Sequence, residues 1–114
     1  MIRGTVILTP FPFTDLHGTK VRPAIIVSRT DRPGDDVILA FVSSVVPAQP
    51  LPTDLIVDPD APEWRGAGLK RPSIIKCDKL ATVQRRVLLG ELGSLSVACL
   101  LEMDRRLRHA LALS

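Results

Sequence analysis

What most constrains the fold of this chain is the order of its local patterns. Short β-rich runs, separated by proline and glycine, fill most of its length, and a single stretch of helical period closes it. The runs are "GTVILT" (Gly4–Thr9), "VRPAIIVS" (Val21–Ser28), "DVILAFVSS" (Asp36–Ser44) and "DLIVD" (Asp54–Asp58). "SIIKCD" and "ATVQRRVLLGEL" add one or two further strands. Strands and helices do not alternate, which argues against a parallel, doubly wound sheet. No glycine-rich phosphate loop leads from a strand into a helix. The pattern predicts a mainly β protein with a C-terminal α-helix: a small, strongly bent antiparallel barrel of five to seven strands, with the helix packed on one side. "DVILAFVSS" is apolar at nearly every position, so both of its faces should be buried.

In the tail "SLSVACLLEMDRRLRHALAL", Val97, Leu100, Met103, Leu107 and Leu111 recur at spacings of three and four, and this is the expected packing face. Ser94 or Ser96 can cap the helix. Glu102–Arg106 and Asp104–Arg108 are i,i+4 pairs in the favourable orientation. Arg105, Arg106 and Arg108 lie where the helix dipole favours cations, so they need no functional role.

A chain of 114 residues, 46% of them hydrophobic, can bury a core without a metal or disulfide staple and reads as one domain, 1–114. The net charge of +3 is a mild lean toward anionic partners. That charge is uneven. Arg65, Lys70, Arg71, Lys76, Lys79, Arg85 and Arg86 are set against Asp78 alone, which suits either a phosphate-facing surface or solvated strand edges. The aromatic residues are Phe11, Phe13, Phe41 and Trp64, with no tyrosine, so there are few rings on which to stack bases. Cys77 and Cys99 read as buried small hydrophobes, and with His17 and His109 they make no metal-ligand spacing. There is no leader-like or membrane-spanning apolar run, and the chain is expected to be cytoplasmic with reduced thiols.

The chemistry-bearing stretch is "FPFTDLHGTKVRPAIIVS" (11–28). Arg22 opens a strand directly after a polar hairpin tip. Its guanidinium is always charged and offers a fork of donors matched to phosphate. Ser43 and Ser44 end the most apolar strand, where a hydroxyl can donate to a phosphate oxygen without adding charge. They alternate in direction, so only one of them can face a given site. Asp15 and His17 share the hairpin tip, where a histidine could move protons near neutral pH. On these spacings alone no Ser–His–Asp triad and no carboxylate pair can be built.

The first motif, "GTVILTPFPFTDLHGTKVRPAIIVS", resembles the N-terminal signature of the MazF/PemK toxin family. "VILAFVSSVVPAQPLPTDLIVD" and "RPSIIKCDKLATVQRRVL" are similar to the segments that follow it, in the right order, and the closing helix fits too. The resemblance covers nearly the whole chain. It implies an SH3-like barrel toxin of a type II toxin–antitoxin pair, a homodimer that binds a cognate antitoxin. The implied activity is cleavage of single-stranded RNA at particular sequences, without metal or cofactor, through attack of the 2′-OH on the adjacent phosphorus. A 2′,3′-cyclic phosphate and a 5′-OH end result. The family's arginine falls on Arg22 and its hydroxyl residue, commonly threonine, on Ser43. Asp15 and His17 lie in the loop expected to overhang the site, and the resemblance makes neither of them the general base. Lys20, Ser44, Lys76 and Lys79 are expected RNA contacts.

Two other readings keep the fold. CcdB-like toxins share the architecture but poison DNA gyrase by protein contact. A catalytically inactive barrel would still bind an antitoxin. The pairing of Arg22 with Ser43 favours the nuclease, because gyrase poisoning has no need of it.

Overall fold

A computed structural model describes residues 1–10 and 20–114. Among the described residues, six strands form one sheet: β1 (Thr5–Pro10), β2 (Val21–Ile26), β3 (Asp36–Ser43), β4 (Asp54–Val57), β5 (Ser73–Gln84) and β6 (Gly90–Ser94). Their order across the sheet is β4-β5-β3-β2-β1-β6, and every neighbouring pair is antiparallel. An α-helix, α1 (Val97–Ala110), follows β6. The expected bent barrel with one terminal helix is thus present, as a sheet curled into a half-barrel. "SIIKCD" and "ATVQ" belong to one long strand rather than two, because β5 passes through a bend instead of breaking.

That bend is visible in the register. Ala40 faces Leu80, but the next residue, Phe41, faces Lys76, leaving Cys77, Asp78 and Lys79 as surplus on β5. A surplus on one strand forces it to kink and twist. The Ser73–Lys76 half of β5 pairs with β4 as well as with the end of β3, while Leu80–Gln84 pairs with the start of β3.

β3 is buried on both faces, as its composition predicts, apart from half-exposed Ile38. Val6, Ile25, Ala40 and Ile75 point into the core shared with α1, while Ile7, Ala24, Ile26, Leu39 and Phe41 fill a second core closed by Ala81, Val83 and Leu88. Each fully buried aliphatic side chain contributes about 1.5–3 kcal/mol relative to exposure.

The helix meets the sheet through Cys99, Met103 and Leu107, with Leu100 half-buried. Val97 and Leu111, expected on this face, are 74% and 53% exposed. The buried stripe lies along the i, i+4 row from Cys99, a residue small enough to let the helix settle against the turn at Glu63, whose carbonyl accepts from its Sγ at 3.2 Å. Ser96, not Ser94, is the cap, its Oγ accepting from the Cys99 N–H at 3.2 Å. Glu102 pairs with Arg106 at 2.9 Å as expected. Asp104 instead turns to Arg3 at 2.5 Å, and Arg3 also donates to the Val27 carbonyl at 2.7 Å. The tertiary partner wins because Arg3 is already held against the sheet, whereas Arg108 is exposed in the last turn.

Both thiols are free and buried. Burial pushes the Cys77 thiol from 9.0 up to about 12, against a small opposing pull from Arg106. A thiol whose folded-state pKa is raised contributes stability that is whole below its ordinary 9.0 and is lost as pH rises through about 12. The folded protein is therefore expected to resist thiol-specific reagents near neutral pH and to lose stability on alkaline titration above 9.0. Timed labelling of native and denatured protein checks the first, and denaturant midpoints along the titration check the second. Among the described residues, no helix is long and apolar enough to cross a membrane.

Candidate functional site

The site forms where β2 and β3 part. Their pairing runs from Ile26–Leu39 to Ala24–Phe41 and stops there. The next residue back along β2 is Pro23, which has no N–H to give to a ladder. Continuing the same register would bring Arg22 opposite Ser43. β2 stays attached on its other side, where Thr9 faces Arg22. Arg22 is therefore anchored through β1 yet left half-buried at the mouth of a gap.

That gap is a cavity of about 170 Å³ lined by Arg22, Phe41, Val42, Ser43, Val45, Lys76 and Lys79. Three cations and a hydroxyl converge on it, and among the described residues no carboxylate lines it. Ser43 Oγ accepts from the Val45 N–H at 3.1 Å, so its own proton is left to donate elsewhere. A small turn thus holds the hydroxyl without consuming its donor. An anion entering this cavity meets a forked guanidinium, a hydroxyl donor and two ammonium groups, an arrangement suited to a phosphate that gains charge.

The structure brings together four of the residues singled out from sequence: Arg22, Ser43, Lys76 and Lys79. Ser44 faces the other way, into an adjoining cavity that Arg22 and Val42 also line. Lys20 is exposed just before β2 and is not among the residues lining either cavity. Asp15 and His17 lie outside the described residues.

Lys76 has a second duty. Its Nζ lies 3.3 Å from Asp54 Oδ1, and the Asp54 side chain is only 1% exposed. The other carboxylate oxygen accepts from the Leu51 N–H at 2.9 Å. Removing Lys76 would leave a buried carboxylate with one backbone partner. Lys76→Met is expected to cost about 2 kcal/mol, below the usual value for a fully buried pair because Lys76 is partly solvated. Urea denaturation of the variant checks this. Nothing in the residue pattern distinguished Lys76 from Lys79, since the ion pair spans two strands.

Sequence reasoning did not single out Val45 or the segment Gly68–Ser73 beside Arg22. The one signal for the latter was the basic excess around Lys70 and Arg71.

A family model described as PemK-like, MazF-like toxin of type II toxin–antitoxin system matches residues 2–111. No curated protein sequence matches the chain. Among solved structures, a mycobacterial endoribonuclease in complex with its cognate antitoxin superposes with a TM-score of 0.75 at 22% identity, covering 100% of this chain and 97% of that one. The Mycobacterium tuberculosis toxin MazF-mt6 gives 0.75 at 20% identity, covering 96% and 98%. A MazE–MazF structure from Deinococcus radiodurans gives 0.75 at 17% identity, covering 100% and 97%. At these identities the structural likeness speaks to the fold.

Proposed function

This chain belongs to the PemK-like, MazF-like toxins of type II toxin–antitoxin systems, and from that premise we propose that it is an endoribonuclease that cuts single-stranded RNA at particular sequences. The observation that carries the reading is the half-buried Arg22 guanidinium at the β2–β3 parting, sharing one cavity with the Ser43 hydroxyl and two lysines.

RNA carries its own nucleophile. The 2′-OH loses its proton and attacks the adjacent phosphorus, and the bond to the 5′-oxygen breaks. A 2′,3′-cyclic phosphate and a 5′-OH remain, and the leaving oxygen takes up a proton. The protein must then stabilise the extra negative charge on the phosphoryl oxygens and manage two protons. Arg22 supplies the charge stabilisation with two parallel donors. Ser43 donates its free proton to a non-bridging oxygen. Lys79 holds the neighbouring backbone. Asp15 and His17, on the chain leading into β2, are the candidates for the proton-transfer roles. None of these steps calls for a metal or an organic cofactor.

The positive rim suits the two partners the family implies, an RNA strand and an antitoxin segment with acidic and apolar residues that folds on binding. A homodimer acting in the cytoplasm completes the proposal.

The test is digestion of a long defined RNA by the purified protein in EDTA, with the new ends mapped by primer extension. Cuts at a short recurring sequence that leave 5′-OH ends support the reading. Intact RNA with folded, antitoxin-free protein overturns it, and gyrase inhibition or antitoxin binding alone would then identify the alternative. Within the active protein, Ser43→Ala is expected to slow cleavage by about 10²-fold, the loss usual for one donor to a developing anion. Ser43→Thr is expected to retain most of the activity. Single-turnover rates at saturating protein check both.

A further inference from the structure

The two ammonium groups at the phosphate-facing cavity are not alike. Lys79 belongs to the surplus residues of the β5 bend, is exposed, and takes part in none of the ion pairs among the described residues. Lys76 is tied across the strands to Asp54, Nζ to Oδ1 at 3.3 Å, and its side chain is only 21% exposed. Asp54 does not itself line the cavity. We infer that Asp54 is a positioning residue for RNA cleavage: from outside the cavity it holds the Lys76 ammonium at the cavity's edge, so that this charge is in place before the phosphate arrives. This rests on the ribonuclease reading above.

A lysine's four-carbon stem is flexible, and ordering it on binding costs entropy. A donor aimed in advance at the place where charge develops avoids that cost at the moment of reaction. Asp54 can aim one because it is itself fixed. Its side chain is 1% exposed. Oδ2 accepts from the Leu51 N–H at 2.9 Å, and the Asp54 N–H donates to the Leu51 carbonyl at 2.9 Å, which closes a tight turn. That turn is pinned from two further sides. The Cys77 N–H donates to the Thr53 carbonyl at 3.1 Å, and Arg106 of α1 donates to the Pro52 carbonyl at 3.0 Å. The carboxylate cannot follow the lysine, so the lysine must come to it.

The backbone of Lys76 is held just as firmly. It faces Asp54 on β4 and Phe41 on β3, two residues before Ser43. Lys76 thus stands between its anchor and the cavity. An ammonium carries three donors and Asp54 takes one, which leaves two for a phosphoryl oxygen. The arrangement also has a drawback. The carboxylate opposes the pull of the ammonium on RNA before reaction, while it fixes the ammonium for the transition state. Removing it should therefore slow the chemical step without weakening binding, a split that a merely structural residue would not give.

Asp54→Asn keeps the shape and an acceptor for the Leu51 N–H. It is expected to lower kcat by about tenfold with KM unchanged or lower. Binding of a short, mixed-sequence 2′-O-methyl RNA, which has no nucleophile, is followed by fluorescence anisotropy against salt. There Asp54→Asn should bind at least as tightly as wild type, with a log–log salt slope steeper by up to about 0.7, the value for one more phosphate contact on a single strand. The third arm repeats Asp54→Asn in a Lys76→Met background. A residue that acts through Lys76 has nothing left to position there, so its effect on kcat should vanish. If Lys76→Met does not fold, Lys76→Gln, whose amide can still donate to Asp54, takes its place. An unchanged kcat in folded Asp54→Asn, a loss that falls wholly in KM, or the same loss in both backgrounds overturns the positioning role and leaves the ribonuclease standing. If the wild type cuts no RNA, the ribonuclease reading falls, and anisotropy alone decides whether Asp54 governs the hold of Lys76 on RNA: an unchanged affinity and salt slope overturns that too.

Discussion

Arg22→Ala is expected to lower RNA cleavage by about 10³-fold or more while leaving the fold intact. An arginine that neutralises charge on a phosphoryl group in the transition state is commonly worth that much. Arg22 stands where β2 has lost its β3 partner but keeps its β1 partner, so the backbone beneath it does not depend on its side chain. None of the ion pairs among the described residues includes Arg22, so truncation breaks none of them. Arg22→Lys is expected to recover only part of the loss, since an ammonium is a point charge and cannot present two parallel donors. Rates on a defined RNA, with circular dichroism and a denaturant midpoint for each variant, make the check. A folded Arg22→Ala protein that cleaves at the parental rate would remove Arg22 from the mechanism.

Gly93→Ala is expected to destabilise the protein by about 3 kcal/mol, a fall in Tm of roughly 10–15 °C. A Cβ on Gly93 would lie 2.2 Å from the Gly66 carbonyl oxygen and 2.8 Å from that of Ala67. Both atoms are backbone and cannot swing aside as a side chain would. β6 would have to lift off the Pro62–Ala67 turn, which carries buried Trp64 and Ala67. Gly90, on the same strand, has nothing within 4 Å of its would-be Cβ, so Gly90→Ala serves as the control and should shift Tm little. Differential scanning calorimetry of the three proteins distinguishes a steric clash from a general intolerance of alanine in β6.

How legible the site was depends on where each constraint lives. Arg22 could be found from sequence because a cation opening an apolar strand, after a polar loop and before a proline, is a local anomaly. Ser43 could be found because a hydroxyl ends the most apolar run. Their meeting in one cavity could not be read from local pattern, since it follows from β2 and β3 losing their pairing at Pro23. The second duty of Lys76, toward Asp54, was hidden for the same reason: the two are 22 positions apart and meet only across β4 and β5.

Local chemistry was enough to decide the element types. Alternation, proline placement and β-branched content set the strands, and a shift to helical spacing set α1, because these depend on neighbours a few residues apart. The buried state of both cysteines followed from their apolar surroundings. Which face of α1 packs, which carboxylate Arg3 takes, where β5 bends and how two cavities come to share one arginine were decided only by the folded chain. Each of these depends on a contact between strands or layers distant in sequence, where the energy of packing and of a fixed ion-pair partner outweighs a local preference worth a few tenths of a kcal/mol.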